Sequence, residues 1–211
     1  MKTALCYGDS NTWGAVPASA TRHGPSHRWP NIFQQSLSDD WEVIAEGLPG
    51  RTTVYDDPIE GGHLSGLAYL RPCLESHRPI DLVLFMLGTN DFKRRFGLEA
   101  EDIAQGVKRL IQEAARLDVY GGKPARIFVI CPPPIDVLGA AATMFAGADR
   151  KSRQLAPLVA EVARTYGAGF LDAGAIIRSS PIDGFHLDAE AQVALGRAIA
   201  AAATEFLAKA S

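Results

Sequence analysis

The sequence lacks the features of a membrane, disulfide-bonded or nucleic-acid-binding protein. Its apolar runs fall far short of the roughly 20 residues that cross a bilayer, so we expect no membrane association. It has three cysteines and no Cys-x-x-Cys pair, so we expect buried, reduced thiols. Its formal net charge is −3, which argues against a nucleic-acid partner because phosphate neutralisation needs clustered Lys and Arg. We interpret the short basic clusters at 93–95 and 150–153 as solvated surface.

Signals for export and for cofactor binding are also missing. Asp9 interrupts the apolar core that a secretion signal needs, so we expect a cytoplasmic protein. The sequence contains neither G-x-G-x-x-G nor G-x-x-x-x-G-K-[ST], the glycine-rich loops of dinucleotide and nucleoside-triphosphate sites. The G-x-S-x-G turn of α/β-hydrolases is absent too. We therefore expect no cofactor.

Short apolar runs alternate with helical patterns along the chain. A chain of 211 residues is most simply one domain, residues 1–211. Two runs, Leu82–Leu87 and Ile127–Ile130, are continuously apolar, which suits parallel strands covered on both faces. The alternation predicts a three-layer α/β/α sandwich with a five-stranded, mainly parallel sheet. The predicted strands are 3–7, 43–45, 82–87, 126–131 and 169–171, and the predicted helices are 27–37, 66–75, 101–117, 152–166 and 189–207.

The loops that follow the strands are the candidates for chemistry, because open parallel sheets bind ligands beyond the carboxyl ends of their strands. Four of the five loops contain a group that is useful to acyl transfer. The loops are Gly8-Asp9-Ser10-Asn11, Glu46–Thr52, Gly88–Asp91, Pro132–Pro134 and Asp183–Asp188.

Ser10 is either an ordinary turn residue or a nucleophile, since Ser, Asp, Asn and Gly are common in turns. A serine hydroxyl needs a base within hydrogen-bond reach to attack at neutral pH, and histidine has a pKa suited to that task. His186 follows Asp183 by three residues, so one turn can carry both groups and let the carboxylate orient the imidazole. We predict Ser10 as the nucleophile, His186 as the base and Asp183 as its orienting carboxylate.

These blocks resemble, in order, those of the SGNH (GDSL-type) hydrolases. The resemblance runs from residue 7 to residue 188 and implies a flavodoxin-like SGNH hydrolase fold. More narrowly, the chain looks like the arylesterase branch, whose members carry out acyl transfer and perhydrolysis as well as ester hydrolysis. The similar stretches are CYGDSNTWG, EGLPGRTTVYDDP, MLGTNDFK, CPPP and DGFHL.

An oxyanion hole needs hydrogen-bond donors where negative charge develops on the substrate oxygen. The candidates are the Ser10 N–H, the Gly50 N–H and the side-chain amide of Asn90. Many SGNH members have Asn-x-x-x-Ser-Gly in the second block, whereas this chain has Pro49-Gly50-Arg51. Gly50 is assigned because it precedes a short polar run as the family glycine does, and Gly47 stays open as the alternative.

The resemblance also implies a substrate class and an assembly. We expect a small-molecule ester as substrate, water or an alcohol as acyl acceptor, short acyl chains and a closed homo-oligomer such as an octamer. Apolar and polar side chains near the predicted site are candidates for the substrate pocket: Asn11, Trp13, Phe92 and Phe185. The segment 135–147 either covers the acyl pocket or packs on a neighbouring subunit.

Other functions fit parts of the same pattern. A thioesterase or lysophospholipase would use the same triad with a longer acyl groove, and a carbohydrate acetylesterase would deacetylate sugars. An inactive binding module on this fold is a non-enzyme alternative. A metal enzyme using Asp183, His186 and Asp188 lacks a second histidine at ligand spacing, so we expect no metal.

Overall fold

The structure, a computed structural model, describes residues 1–136 and 141–209. Its centre is a five-stranded sheet in which each neighbouring pair of strands is parallel. The strand order is β2-β1-β3-β4-β5, which confirms the predicted parallel sheet and its strand count. The strands are β1 (Lys2–Gly8), β2 (Trp41–Gly47), β3 (Leu82–Met86), β4 (Ile127–Cys131) and β5 (Gly169–Asp172).

Helices cover both faces of this sheet and complete the predicted three layers. Helices α2 (Trp29–Ser36) and α8 (Ala189–Lys209) pack together over one face. Helices α3 (Gly66–Ser76), α4 (Ala100–Ala115) and α7 (Leu155–Thr165) cover the other. Alternate residues of β3 enter opposite cores, since Leu84 belongs to the first core and Phe85 to the second. Burial on both sides explains why this strand is apolar throughout.

Several element bounds differ from the prediction for physical reasons. The edge strand β2 is seven residues long, because an edge strand tolerates charged side chains such as Glu42 and Glu46 that interrupt the apolar pattern. The predicted helix 152–166 corresponds to α7, which begins only at Leu155, while Ser152 ends a separate short helix, α6 (Ala148–Ser152). Pro157 lies in the first turn of α7, where its missing N–H leaves no intrahelical hydrogen bond unmade. Two short helices complete the set: α1 (Ser10–Trp13) and α5 (Ala141–Met144).

Within residues 1–136 and 141–209, none of the helices combines the length and the apolar character that a bilayer crossing requires. The three cysteines are free and buried, as the sequence predicted.

Candidate active site

Ser10 begins α1 directly after β1 ends. The Asp9 side chain caps this helix by accepting a hydrogen bond of 2.9 Å from the Asn11 N–H, and Gly14 ends it in the left-handed conformation (φ 92°). Gly8 allows the tight turn, because a Cβ there would overlap the Thr12 side chain and lie 2.8 Å from the Met86 carbonyl oxygen. The turn fixes Ser10 at the carboxyl edge of the sheet, where the sequence places it.

Ser10, His186 and Asp183 form one hydrogen-bonded chain. The Ser10 Oγ lies 3.0 Å from His186 Nε2, and His186 Nδ1 lies 2.7 Å from Asp183 Oδ2. A carboxylate can only accept at the Nδ1 end, so the proton sits on Nδ1 and the Nε2 lone pair faces the serine hydroxyl. This is the arrangement in which imidazole can remove the hydroxyl proton.

Backbone N–H groups hold the Asp183 carboxylate in its ionised form. Oδ1 accepts from the N–H groups of Phe185 and His186, at 3.1 and 3.0 Å. Oδ2 accepts from Ala18 N–H at 2.8 Å as well as from the imidazole. Burial alone would raise the pKa of Asp183, but these hydrogen bonds outweigh it and lower the pKa to about 2. The group is therefore a permanent anion at neutral pH.

The Asn11 side chain connects the serine turn to the histidine loop. Its amide nitrogen donates to the Phe185 carbonyl oxygen at 2.9 Å, and the backbone carbonyl oxygen of Asn11 accepts from the Gln192 side-chain amide of α8 at 2.9 Å. Asn11 is almost wholly buried. These contacts hold Ser10 and His186 in register, although 176 residues separate them.

Asn90 and Gly50 lie in the two loops that follow β3 and β2. The amide nitrogen of Asn90 is 3.1 Å from the Arg51 carbonyl oxygen and 3.5 Å from Asp9 Oδ2. Gly50 has φ 86°, a conformation that favours glycine. Gly47, the alternative, packs against the Trp13 backbone, which a Cβ would overlap. A packing reason therefore accounts for the glycine at position 47, and the oxyanion role of Gly50 stays a prediction.

Two buried carboxyls organise these loops. Asp9 caps the serine helix, and Asp91 accepts hydrogen bonds from the Thr53 N–H and hydroxyl, which ties the third loop to the second. Burial raises the pKa of Asp9 and of Asp91 to about 6. Neither carboxyl contacts Ser10 Oγ or His186 in the hydrogen bonds of the described residues. Asp91 acts on the site through the loop that it holds, and Asp9 acts through the serine turn and through the Asn90 amide.

In the basic cluster 93–95, Lys93 is buried, which corrects the prediction of solvated surface, whereas Arg94 is exposed as predicted. Lys93 is 4% exposed and its ammonium lies 2.9 Å from Glu60 Oε2. Arg95 pairs with Asp57 at 2.7 Å and also contacts Glu60. A Cβ on Gly50 would lie 3.2 Å from Glu60 Oε2, so these charges surround the Gly50 loop. The partners lie more than 30 positions apart in the sequence, and no local signal could have identified them.

The predicted pocket residues differ in exposure. Phe92 is 5% exposed and belongs to the core against α4, whereas Trp13 and Phe185 are half-buried. The Phe185 ring packs against the His186 ring at 4.2 Å and against Phe145 at 4.8 Å. The pocket roles of these residues stay predictions. In the segment 135–147, residues 137–140 lie outside the described residues, and its interpretation as a lid or an interface also stays a prediction.

A cavity of about 590 Å³ lies at the opposite, amino-terminal edge of the sheet. Its charged lining is already paired, since Lys2 binds Asp40 and Lys123 binds Asp81 at 2.9 and 2.8 Å.

Among the residues that the structure describes, one group of three has metal-ligand spacing: Glu46, Cys73 and His77. The alternative metal set Asp183, His186 and Asp188 does not form such a group there.

The known proteins that this chain resembles are esterases or acylhydrolases. A sequence model of the GDSL-like lipase/acylhydrolase family matches residues 6–194. A solved carbohydrate acetylesterase family member from Sinorhizobium meliloti is 40% identical, with a TM-score of 0.94 over 99% of this chain and 100% of that one. The inhibitor-bound aryl esterase of M. smegmatis is 36% identical, with a TM-score of 0.92 over 98% of this chain and 100% of the other. No curated protein matched the chain.

Proposed function

The chain belongs to the GDSL-like lipase/acylhydrolase family and is an esterase of the SGNH type, and we propose that it hydrolyses short-chain acyl esters through an acyl-Ser10 intermediate. The observation that carries this proposal is the hydrogen-bonded chain from Ser10 through His186 to Asp183. The match to the aryl esterase structure supports esters of phenols or simple alcohols as the substrate class.

In the acylation step, His186 Nε2 takes the proton of the Ser10 hydroxyl while Oγ attacks the acyl carbon. The carbonyl oxygen becomes an oxyanion in the tetrahedral intermediate. When the intermediate collapses, the bond to the leaving oxygen breaks, and His186 gives its proton to the leaving alcohol or phenol. In deacylation, His186 takes a proton from a water molecule, and the water oxygen attacks the acyl carbon of the acyl-enzyme. When this second intermediate collapses, the acid is released and His186 returns the proton to the Ser10 oxygen.

Asp183 stabilises the imidazolium that forms in each step and stays ionised throughout. Its low pKa, about 2, supports this assignment, because proton transfer from the imidazolium would need a far more basic carboxylate. The Ser10 N–H, the Gly50 N–H and the Asn90 amide are the proposed donors to the oxyanion. Their joint position beyond β1, β2 and β3 supports that role.

Transfer of the acyl group to an alcohol or a peroxide in place of water is part of the proposal. The half-buried rings of Trp13 and Phe185 provide apolar surface that would favour an organic acceptor over water. A closed homo-oligomer, in which a neighbouring subunit narrows the site, would add to this preference and restrict the acyl chain.

A second candidate is deacetylation of carbohydrates, which the identity to the S. meliloti carbohydrate acetylesterase family member favours. The two candidates share a mechanism and differ in the alcohol portion of the ester.

The test is a substrate panel with the wild-type chain and the Ser10→Ala variant. p-Nitrophenyl acetate, butyrate and octanoate measure acyl-length preference, and phenyl acetate against acetylated xylan measures preference for the alcohol portion. We expect kcat/KM to fall with acyl length and to be higher for phenyl acetate than for acetylated xylan.

The other outcomes each select a different function. Preference for acetylated xylan would select the carbohydrate candidate, and preference for octanoate would select a lipase-like or thioesterase-like enzyme. Absence of Ser10-dependent turnover would leave a binding module. For acyl transfer, we expect ester to make up a larger share of the acyl products than the molar fraction of alcohol in the reaction mixture.

A further inference from the structure

Glu46, Cys73 and His77 meet at the edge of the sheet, outside the triad. Glu46 lies near the end of β2, Cys73 is in α3, and His77 caps that helix. One carboxylate oxygen, the thiol sulfur and one imidazole nitrogen all lie within 4.8 Å of one another. Cys73 and His77 are four positions apart, so the helix places both side chains on one face.

The His77 ring is oriented as a metal ligand is. Its Nδ1 lies 2.9 Å from the Cys73 carbonyl oxygen, which accepts the Nδ1 proton and leaves the Nε2 lone pair free. Nε2 is 3.8 Å from Glu46 Oε1. A backbone carbonyl at the second ring nitrogen commonly fixes the tautomer and orientation of a metal-bound histidine.

We propose that Glu46, Cys73 and His77 form a binding site for a transition metal of the Zn²⁺ type. Zn²⁺ binds thiolate, imidazole and carboxylate at about 2.0–2.3 Å, which places the ligand atoms of a tetrahedral site roughly 3.5 Å apart. The described positions therefore need to contract by about 1 Å, which the flexible Glu46 side chain permits. On binding, the Cys73 thiol loses its proton to solvent and forms the metal–sulfur bond.

Solvent can supply the fourth ligand and the path by which the metal enters. Cys73 is fully buried, but the side chains of His77 and Glu46 are 28% and 23% exposed. A water molecule completes the coordination on that side. Mg²⁺ and Ca²⁺ prefer oxygen ligands, so the thiolate makes the site selective against them.

The site joins residues of two elements, β2 and α3. β2 is an edge strand, and α3 lies over the sheet face beside it. A metal bound to both raises the stability of the folded chain in proportion to its occupancy. This proposal departs from the expectation that the protein binds no metal. That expectation rests on the absence of a Cys-x-x-Cys pair and on the residues around His186, and neither involves Glu46, Cys73 and His77. It is independent of the proposed esterase function.

The test is titration of the untagged, metal-free full chain with Co²⁺, followed by Zn²⁺ competition. We expect one equivalent of Co²⁺, a sulfur-to-cobalt charge-transfer absorption in the near ultraviolet, displacement by Zn²⁺ but not by Mg²⁺, and a higher Tm with Zn²⁺. Cys73→Ser should lose the charge-transfer band, and His77→Gln should lower the affinity at least tenfold.

Matched controls are Cys131→Ser, which removes another buried free thiol, and His63→Gln, which removes a histidine outside the group. Both should bind Co²⁺ as the wild type does. Absence of stoichiometric binding would overturn the proposal. So would binding without the sulfur band, or binding that Cys73→Ser and His77→Gln leave unchanged, since the three residues would then form only a polar contact beside a buried thiol. None of these results bears on ester hydrolysis.

Discussion

Replacing Asp183 by Asn tests how the carboxylate fixes the histidine. The carboxylate accepts four hydrogen bonds, two at each oxygen. An amide has one acceptor oxygen and one NH₂ group, so in either orientation the NH₂ faces two donors. If the NH₂ group faces the imidazole, Nδ1 must become the acceptor and the imidazole proton moves to Nε2. Nε2 faces the Ser10 hydroxyl and can then no longer accept its proton. We expect kcat to fall about 10⁴-fold, the size of effect known for a wrong imidazole tautomer in a serine triad.

The same substitution removes a pH-dependent part of the stability. The pKa of Asp183 is about 2 in the folded chain, against an ordinary value of 3.8. Each pKa unit corresponds to about 1.4 kcal/mol, so the lowered pKa of this buried carboxyl contributes about 2 kcal/mol to the stability. Because the folded-state pKa is depressed, this stabilisation is fully present above about pH 4 and disappears as the pH falls towards about 2.

The assays are steady-state p-nitrophenyl acetate hydrolysis at pH 7 and urea unfolding at pH 7 and pH 3. The matched control is Asp39→Asn, an exposed carboxyl between α2 and β2, which should keep wild-type activity. A folded Asp183→Asn variant with kcat within tenfold of wild type would refute the reasoning.

Three further predictions concern the oxyanion loop, the histidine turn and the buried charges. Asn90→Ala should lower kcat about 10²–10³-fold with little change in KM, measured by steady-state kinetics, since an oxyanion donor acts in the transition state; a change in KM alone would contradict that role. Gly184→Ala should destabilise the fold by more than about 2 kcal/mol in urea unfolding, because the glycine has φ 85° and a Cβ would overlap a carbonyl oxygen. Its control, Gly122→Ala, has φ 76° but open space around it and should lose only about 1 kcal/mol; equal losses would rule out the steric argument. Lys93→Met should cost about 1–2 kcal/mol in the same assay, because it removes a buried cation from Glu60, which is 37% exposed and keeps Arg95 as a partner, and a loss below about 0.5 kcal/mol would show that the pair is effectively solvated.

The parts of the molecule that follow local patterns could be predicted from the sequence. Strands such as β3 and β4 are apolar throughout because both faces are covered, and that pattern identified the parallel sheet. The order of the loops after the strands then brought Ser10 and the Asp183–His186 turn to one edge. Three residues separate Asp183 from His186, so their pairing is a local property of one turn.

Other features depend on contacts between distant segments and could not be predicted. Lys93 is buried beside Glu60 and Asp57, carboxylates from a different loop that neutralise it. The sequence predicts Asn11 only as a pocket residue, and its amide also connects two loops. The approach of Glu46 to Cys73 and His77 depends on how α3 lies beside the edge strand. The i, i+4 spacing of the last two was the one signal that the sequence offered.

The measurement that tests the central claim most directly is the pre-steady-state reaction of p-nitrophenyl acetate with wild type and Ser10→Ala, combined with the mass of the quenched protein. The account predicts a burst of p-nitrophenol and a single acetyl group on Ser10 in the wild type. It predicts neither burst nor turnover in a folded Ser10→Ala variant. Hydrolysis by that variant at the wild-type rate, or an acetyl group at another residue, would contradict the account.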